Sequence, residues 1–427
     1  MQLTAEQQAL GRRTFLKALA GTPAIGLLGA AAIMKGPVSG GPVRLGLIGA
    51  GGQGRALLNN VDPAFGDVRA LCDINPAQLA RADEVLLKRQ RPKPRHYVDW
   101  RDMLEQEDLE GVLIALPLWL HADATVACLD AGKHVLCEKM MAWDVEGCER
   151  MIRASDRNGR VLEIGYQRRY NGVYQAAYDG IVARGLLGDV YHVRMVWHRN
   201  GNWRRQGNPP SPDYDPSKWG YPTFEHLLNW RLYWQYSQGL FAELASHQLN
   251  AANWFLGSTP TAVMATGGVY RFADGREVPD HIYAIWEYPG GVTATYSSVE
   301  SNAFENRYEV FFGTKATLLV KNEVEALLFE EGAGRESGIQ VTGRDSSAAA
   351  DASETRPGNT SSGRAATEPA LAETGTRPAA SRQEISRFCA AVRVRTPLAC
   401  GADQAFHSAK ACIRANEAIS RKGRLDV

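Results

Sequence analysis

Three glycines and one carboxylate have the types and the spacing of a dinucleotide-binding site. The segment from Arg44 begins with a short apolar run and continues into Gly-x-Gly-x-x-Gly at Gly49, Gly51 and Gly54. In this motif the first glycine permits a tight turn, the second lets the backbone approach a pyrophosphate, and the third lets a helix pack on a strand. Asp73 follows nineteen residues after Gly54, where a carboxylate binds the ribose hydroxyls. The spacing predicts NAD as the cofactor, with NADP disfavoured because Asp73 would repel its extra phosphate.

The turn itself should supply further contacts to the cofactor. The phosphates would lie at the N-terminus of the helix that follows, where unpaired N–H groups and the helix dipole favour anions. We therefore expect Gly52 and Gln53 to bind the cofactor together with the three glycines. A glycine-rich turn without a ligand is the alternative, because the chain has 42 glycines. Asp73 at the end of the next apolar run argues against that alternative.

Strands and helices must alternate from residue 44 to about 164 to position these groups. Apolar runs typical of strands buried on both faces occur at 45–48, 68–72, 111–116, 133–137 and 161–165. In open α/β sheets, ligands bind beyond the carboxyl ends of the strands. Glu138 and Lys139 follow one of these strands, and Pro117 to His121 follow another. We expect all of them to meet the glycine turn in one crevice.

Period-two alternation dominates the second half of the chain. Tyr191, Val193, Met195 and Trp197 alternate with other residues, and similar patterns recur at 282–288, 292–299 and 308–320. This pattern predicts a large, mostly antiparallel sheet with one covered face. The fold class is therefore α/β, with an N-terminal Rossmann doubly wound parallel sheet and a C-terminal α+β domain.

A segment rich in proline and tryptophan interrupts the strands between residues 202 and 239. It holds four of the ten tryptophans, including Trp230. The next residues, 240–247, are expected to form a helix that places Glu243 and His247 on one face, four positions apart.

Composition divides the chain into five parts. Residues 332–381 are rich in Ser, Ala, Gly, Thr, Glu and Arg, which predicts a disordered or loosely draped insertion. The expected parts are a leader and linker at 1–40, the NAD-binding Rossmann domain at 41–165, the substrate-binding domain at 166–331, the insertion at 332–381, and C-terminal helices at 382–427.

The N-terminal residues have the pattern of a twin-arginine export signal. Arg12 and Arg13 precede a weakly apolar stretch, and Ala30 to Ala32 offer a small-residue cleavage site. The stretch is too short and too weakly apolar for a stable membrane span. We expect residues 1–32 to be removed and the mature protein to be periplasmic, exported folded with its cofactor. An ordinary N-terminal helix with a chance Arg-Arg pair is the alternative.

The net charge restricts which classes of partner are expected, and the cysteine content indicates in which compartment the protein folds. The chain has a net charge of +1, and loss of residues 1–32, which carry three cations and one anion, leaves −1. This near-neutral charge argues against nucleic acid or an anionic membrane as a partner. The seven cysteines show no zinc-type spacing, so we expect buried thiols and no metal site. Their odd number suits folding in a reducing compartment before export.

Four segments resemble the family of glucose–fructose oxidoreductases and inositol dehydrogenases, known as Gfo/Idh/MocA. They are Gly49–Gly54 with Asp73, Leu116–Pro117 with His121, Ala131–Lys139, and Phe312–Lys315. The resemblance covers nearly the whole mature chain. Two departures stand out. The family pattern Glu-Lys-Pro reads Glu138-Lys139-Met140 here, and the family's paired Asp and His read Glu243 and His247.

The resemblance implies roles for several side chains. Lys139 would be the catalytic lysine and Gln167 a neighbour of the nicotinamide. His247 is expected to be a general base oriented by Glu243. The alternatives are a structural histidine and a plain acid on the helix face. His121 would be structural or would face the cofactor, while Pro117 and Glu138 would line the cofactor site. Independently of the resemblance, Arg168 and Trp230 are expected to bind a carbohydrate, since aromatic rings match the apolar faces of pyranoses. Ordinary packing of the long loop is the alternative. We also expect a homo-oligomer that forms through the open sheet.

Two enzymatic functions are compatible with these residues. The first is an NAD-dependent oxidoreductase acting on a hydroxyl of a sugar, sugar derivative or cyclitol, with tightly bound cofactor. The second is a redox-neutral glycoside hydrolase resembling the NAD-dependent α-N-acetylgalactosaminidases, which oxidise, eliminate, add water and reduce again. A non-catalytic binding protein is the third possibility, and the presence of Lys139 and Asp73 argues against it. Free NAD is scarce outside the cytoplasm, so export favours reactions that regenerate the cofactor in its site.

Overall fold

Two sheets organise the chain, as the hydrophobic patterns predict. We describe a computed structural model in which residues 3–20, 40–332 and 376–427 are placed. The strands are β1 (Val43–Ile48), β2 (Gly66–Cys72), β3 (Arg95–Tyr97), β4 (Gly111–Ile114), β5 (His134–Glu138), β6 (Leu162–Gly165), β7 (Val190–His198), β8 (Ala262–Gly268), β9 (His281–Glu287), β10 (Thr293–Val299), β11 (Arg307–Gly313), β12 (Ala316–Lys321), β13 (Glu325–Glu330) and β14 (Leu425–Asp426). The helices are α1 (Ala5–Ala20), α2 (Gly52–Asn60), α3 (Pro76–Lys88), α4 (Trp100–Gln106), α5 (His121–Asp130), α6 (Val145–Asn158), α7 (Gly172–Ala177), α8 (Phe224–Leu228), α9 (Ser246–Leu256), α10 (Arg377–Val394) and α11 (Ala402–Arg421).

The first sheet is parallel throughout and has the order β3-β2-β1-β4-β5-β6. Its central strands are apolar runs that lie between helices, and every residue of β4 and β5 is buried. The strand order reverses beside β1, and this reversal opens the crevice where open α/β sheets bind ligands. The prediction of a Rossmann doubly wound sheet is confirmed.

The second sheet has eight strands in the order β13-β12-β11-β7-β10-β9-β8-β14. All neighbours are antiparallel except β7 and β10, which run parallel. Strand β9 shows the predicted alternation: Ile282, Ala284 and Trp286 are buried, while Tyr283 and Ile285 are 46% and 40% exposed on the other face. One face therefore packs on the core, and part of the other face is open.

Helix α10 returns to the first domain, and its start corrects the predicted boundary of the insertion. Ile385, Phe388 and Cys389 of α10 pack with the leucines of β1 in one buried cluster. The helix begins at Arg377, inside the segment 332–381 that composition assigned to an insertion. The side chain of Thr376 caps the helix by accepting a hydrogen bond from the Ala379 amide, at 3.3 Å. Residues 333–375 of the predicted insertion lie outside the described residues.

The segment that carries the twin arginines is a helix packed on the outer face of the second sheet. Gly11 of α1 lies against Phe329 of β13, where a Cβ on the glycine would be 2.6 Å from the ring, and Arg12 forms an ion pair with Glu325. Phe15 and Leu19, each 4% exposed, belong to the main core cluster. Val196, Tyr308, Val310, Leu319 and Leu327 form the buried cluster on this side of the sheet. The predicted cleavage site at Ala30–Ala32 lies outside the described residues.

The seven cysteines are buried and free. Burial raises the pKa of each thiol, which leaves all seven protonated. Within residues 3–20, 40–332 and 376–427, no cluster of His, Cys, Asp and Glu has the arrangement of a metal site. The helices in the same parts of the chain lack the length and apolarity for crossing a membrane.

Candidate active site

A cavity of about 430 Å³ lies at the carboxyl edge of the first sheet, under the segment that connects β7 to α9. Gly49, Gly51, Gly52, Gln53 and Asp73 line one side. Pro117, Glu138, Lys139, Glu243 and His247 line the same cavity, so the structure brings together most residues that the sequence selects.

The glycine turn is shaped by close backbone approaches. Gly49 has a φ of +92°, and a Cβ there would lie 2.4 Å from the carbonyl oxygen of Ala115. A Cβ on Gly54 would lie 1.9 Å from the carbonyl oxygen of Gly49, so only glycine lets α2 approach β1 this closely. Gly54 therefore acts from beneath the turn, by packing rather than by facing the cavity.

Asp73 is held at the end of β2 by two backbone amides. Its carboxylate oxygens accept hydrogen bonds from Ala50 N and Asn75 N, each at 2.8 Å. Burial raises the pKa of Asp73 to about 6, although these two amides act in the opposite direction. The carboxylate is thus fixed against the glycine turn, where a ribose would lie.

Lys139 follows β5 and points across the cavity to the second domain. Its Nζ donates to the carbonyl oxygen of Glu243 at 3.0 Å and lies 3.9 Å from the Glu243 carboxylate. Burial lowers the pKa of Lys139, and the Glu243 and Glu138 carboxylates oppose this shift. The peptide bond from Lys139 to Met140 is cis. An ammonium group with a lowered pKa at this position is suited to proton transfer.

Glu138 faces the glycine turn instead of the substrate side. Its Oε1 accepts from the Gln53 side chain at 2.6 Å, and the residue is 8% exposed. Burial raises the pKa of Glu138, while Lys139 and Gln53 lower it. The pair of Gln53 and Glu138 links the turn before α2 to the strand that carries Lys139.

Glu243 binds Arg231, and the expectation that it orients His247 is wrong. Arg231 Nε donates to Glu243 Oε2 at 2.9 Å. Burial alone would raise the pKa of Glu243, but the charges of Arg231 and Lys139 outweigh it and lower the pKa to about 2. The physical reason for the error is local: residues 241–245 form a π-helical turn, which changes the angular offset expected for positions four apart. Glu243 instead positions Lys139.

His247 lies in the cavity wall as a neutral imidazole. Burial lowers its pKa well below the usual value, and the charge of Lys139 adds to this effect. Its Nδ1 is buried and has no hydrogen-bond partner in the described parts of the chain. The ring packs edge-on to Tyr166, with 6.1 Å between ring centroids. An unpartnered polar nitrogen in this wall is free for a substrate hydroxyl.

His121 braces the backbone, which agrees with the structural alternative in its prediction. Its ring nitrogens face the carbonyl oxygens of Met140 and Leu116, each at 2.9 Å. Both polar atoms are therefore engaged, although the ring borders the cavity. The imidazole connects the end of β4 to the turn that follows Lys139.

Two of the predicted site residues lie outside the cavity wall. Arg168 is 3% exposed and forms ion pairs with Glu309 at 2.5 Å and Glu323 at 2.8 Å. A buried guanidinium that is satisfied by two carboxylates supports the fold, so the expectation that Arg168 binds carbohydrate is wrong. Gln167 is 6% exposed and is also absent from the cavity lining, which argues against contact with the nicotinamide.

The tryptophan-rich segment forms the roof of the cavity. Trp203, Trp219 and Trp230 line it, which agrees with the expected placement of Trp230. Tyr221 anchors the roof to the first domain by accepting a hydrogen bond from Trp119 Nε1 at 3.0 Å. Tyr214 adds a bond to the carbonyl oxygen of Ile74 at 3.3 Å, beside Asp73. These contacts close the roof over the glycine turn and Asp73.

Sequence reasoning missed four arginines that line the cavity: Arg199, Arg205, Arg231 and Arg377. Only Arg377 lies beside a local sequence signal, which is the start of a helix: Thr376 is an N-cap residue and Pro378 lies in the first turn. The other three lie in or beside the roof, where no periodic pattern indicates which side chains face inward.

The residues present fit a dinucleotide. A Cβ on Gly51 would meet no atom within 4 Å, so the turn leaves an open cradle beside the N-terminus of α2. The free N–H groups there would hold the phosphates, and Asp73 would hold a ribose.

Comparison with known proteins agrees with this arrangement. Residues 43–166 match the model "Oxidoreductase family, NAD-binding Rossmann fold", and residues 176–319 match "GFO/IDH/MocA C-terminal domain". A glycosyl hydrolase family 109 protein of Shewanella baltica is 30% identical over 178 residues, which cover 38% of this chain and 39% of that protein. Inositol 2-dehydrogenase of Salmonella typhimurium is 31% identical over 196 residues, which cover 45% and 54%. The chain thus spans less than two thirds of the length of these curated relatives.

A solved structure extends the likeness to nearly the whole fold. The WlbA dehydrogenase of Bordetella pertussis, crystallised with NADH and UDP-GlcNAcA, superposes with a TM-score of 0.70 at 19% identity. The superposition covers 92% of this chain and 99% of that protein. The glycine turn, the lysine after β5 and the two matching domain models lead to one conclusion: the chain belongs to the Gfo/Idh/MocA family of oxidoreductases.

Proposed function

We propose that this protein is an NAD-dependent oxidoreductase that acts on a hydroxyl group of a sugar, a sugar derivative or a cyclitol. The observation that carries the proposal is the position of Lys139. Its Nζ is held 3.0 Å from the Glu243 carbonyl oxygen in the cavity that also contains the glycine turn and Asp73. A proton-transfer group and a dinucleotide cradle therefore face the same space.

Each residue of the site would have a separate role in such a reaction. A bound nicotinamide supplies hydride transfer to or from the carbinol carbon. Lys139 would take the hydroxyl proton during oxidation and return it during reduction, and the lowered pKa of this buried lysine favours that exchange. Glu243 and Arg231 would hold Lys139 in place, and neutral His247 would bind the substrate hydroxyl through its free Nδ1.

We further propose NAD rather than NADP, held tightly between catalytic cycles. Asp73 would repel a 2′-phosphate, and the following residues, Ile74 and Asn75, offer no cation to bind one. The roof supports slow exchange of the cofactor, because Tyr214 and Tyr221 hydrogen-bond the roof to the first domain.

Redox-neutral glycoside hydrolysis is the second candidate. The likeness to a glycosyl hydrolase family 109 protein favours it, and so does a roofed site that would retain its cofactor. Such a reaction would use Lys139 twice, once to remove a hydroxyl proton and once to return it. The two candidates differ in whether the cofactor is changed at the end of the reaction.

We propose in addition that the protein is exported to the periplasm by its twin-arginine segment and forms a homo-oligomer through the open sheet. Arg12 and Arg13 ahead of a weakly apolar stretch support export. Met264, Tyr283 and Ile285, which are 41%, 46% and 40% exposed on β8 and β9, support self-association.

One preparation tests the activity. Denaturing the purified protein should release NAD rather than NADP. Mixing the intact protein with sugars, polyols and sugar acids should then produce the absorbance of a reduced nicotinamide in proportion to bound cofactor. Glycosides that release their aglycone with no lasting absorbance change would favour the hydrolase.

Lys139→Met supplies the control for that experiment. It should keep the bound NAD, because the glycine turn and Asp73 hold it, and should lower turnover about 10²- to 10⁴-fold. Unchanged turnover with NAD still bound would assign the proton transfer to another residue and overturn the proposed role of Lys139.

A further inference from the structure

Cationic side chains outnumber anionic ones in the wall of the active-site cavity. In the described parts of the chain the wall contains five cations, Lys139, Arg199, Arg205, Arg231 and Arg377, and three anions, Asp73, Glu138 and Glu243. Lys139 and Arg231 share Glu243, and Arg199 pairs with buried Glu300. Arg205 and Arg377 are left, and the guanidinium groups of both lack an ion-pair or hydrogen-bond partner within residues 3–20, 40–332 and 376–427.

Arg377 reaches the cavity from the first turn of α10. Thr376 caps this helix, and the helix packs on the first domain through Ile385 and Phe388, so the position of Arg377 is set by a rigid element. The charge of Arg377 acts on the catalytic groups. Burial lowers the pKa of Lys139 and of His247, and Arg377 contributes to both shifts. The Arg377 guanidinium therefore lies close enough to the reacting end of the cavity to affect it.

Arg205 reaches the same cavity from the roof. Its backbone is pinned on both sides by Asn229, whose Oδ1 accepts from Arg205 N at 2.6 Å and whose Nδ2 donates to Arg205 O at 3.0 Å. Burial lowers the pKa of Arg205, and the neighbouring charge of Arg231 lowers it further. Glu243 opposes this shift. The backbone is thus ordered, and the exposed guanidinium has no ion-pair or hydrogen-bond partner in the described parts of the chain, so it is available to an anion that enters the cavity.

We propose that Arg205 and Arg377 bind an anionic group, a carboxylate or a phosphate, on the carbohydrate substrate. This inference rests on the proposed function and narrows it to acidic sugars. A guanidinium presents a planar fork of N–H donors that matches the oxygens of either anion. The cofactor phosphates have their own site at the N-terminus of α2, so they leave the two arginines available.

Binding can be measured without turnover, because five tryptophans line the cavity. D-glucose, D-glucuronate and D-glucose 6-phosphate, with the corresponding galactose compounds, are titrated into the NAD-loaded protein while tryptophan fluorescence is recorded. At least one acidic sugar should bind about tenfold tighter than its neutral counterpart, and added salt should weaken only the acidic sugar. The carboxylate and phosphate arms distinguish the two anions.

Arg205→Gln and Arg377→Gln should each remove most of this preference, because they should weaken binding of the acidic sugar far more than binding of the neutral sugar. The matched control is Arg382→Gln, an exposed arginine on the same helix that lies away from the cavity wall. Arg377→Lys should restore part of the preference, because it keeps the charge but loses the planar fork.

Three results would overturn the inference. One is equal affinity for neutral and acidic sugars in the parent protein. Another is retention of the preference in both glutamine variants. The third is a loss of bound NAD in those variants, which would assign the arginines to the cofactor phosphates. If an acidic sugar binds through the arginines but reduces no NAD, the proposed oxidoreductase activity fails while the anion site stands.

Discussion

Three charged side chains contact one another in a row at the centre of the site. Arg231 holds the Glu243 carboxylate at 2.9 Å, and this carboxylate lies 3.9 Å from Lys139 Nζ. Burial and the Glu243 carboxylate shift the pKa of Lys139 in opposite directions. The proton affinity of the lysine is therefore adjusted by a residue that sequence reasoning assigned to a different partner.

Glu243→Gln tests this adjustment. Removing the carboxylate takes away one of the two groups that raise the pKa of Lys139, so that pKa should fall further. The limb of the pH–rate profile that reports Lys139 should move to lower pH for oxidation of a sugar, since the neutral amine then persists at lower pH. The measurement is the rate of bound-NAD reduction across pH.

Two controls make the result specific to Lys139. Glu105→Gln, an exposed position on α4, should leave the profile unchanged. Lys139→Met should abolish the shifted limb altogether. A profile that is the same in Glu243→Gln and the parent would mean that Glu243 does not set the proton affinity of Lys139.

At the scale of elements, two glycines in the turn between β1 and α2 have different roles, one in folding and one in binding. Packing requires glycine at position 54, since a Cβ there would lie 1.9 Å from the backbone of Gly49. Packing does not require glycine at position 51, because its φ of −61° suits any residue and a Cβ would meet no atom within 4 Å. One glycine serves the contact between helix and strand, and the other keeps space open for a ligand.

Gly54→Ala and Gly51→Ala form a matched pair. Gly54→Ala should force α2 away from β1 and destabilise the cofactor-free protein by about 1–3 kcal/mol, which lowers its Tm. Gly51→Ala should leave that Tm unchanged and weaken NAD binding, because its methyl group would stand where the pyrophosphate approaches. Thermal unfolding of the cofactor-free proteins and titration with NAD measure the two effects. A Gly51→Ala variant that binds NAD like the parent would argue against this turn as the phosphate cradle.

At the scale of the whole molecule, helix α1 covers one part of the outer face of the second sheet and leaves the rest open. The covered part includes Leu327 and Phe329 of β13, which lie against Gly11 of α1. The open part includes Tyr283 and Ile285 on β9. Removal of the leader would uncover apolar surface beside an already exposed patch, and a second copy of the sheet is the partner we propose for it.

Expression of the parent beside the double variant Arg12→Lys, Arg13→Lys tests export and assembly together. The parent should be found in the periplasm, shortened by the leader, with the mass of an oligomer. The variant should stay in the cytoplasm at full length, with α1 still on the sheet and a smaller assembled mass. Cell fractionation and light scattering measure both properties.

Ile285→Glu is the control for the assembly surface, because it places a charge on the open face and should return the processed chain to a monomer. Efficient export of the double variant would contradict the twin-arginine proposal. A monomeric processed parent would contradict the oligomer.

Local sequence patterns determined the parts of the site that lie at strand ends. The turn at Gly49–Gly54, Asp73 after β2 and Lys139 after β5 were predictable because buried parallel strands must share one carboxyl edge. The alternation in β9 likewise indicated one covered face before its neighbours were known. In each case the information lies within a few consecutive residues, whose periodicity reports burial directly.

Only the tertiary structure decided which charges meet. Arg168 is neutralised by Glu309 and Glu323, more than a hundred residues away, and Glu243 meets Arg231 rather than His247. Arg377 enters the active site from a helix that follows a long stretch of low-complexity sequence. Periodicity shows which face of an element is buried, but it does not show which distant side chain lies opposite. Ion pairing depends on that opposite side chain, because a buried charge is stable only where a distant partner compensates the loss of water.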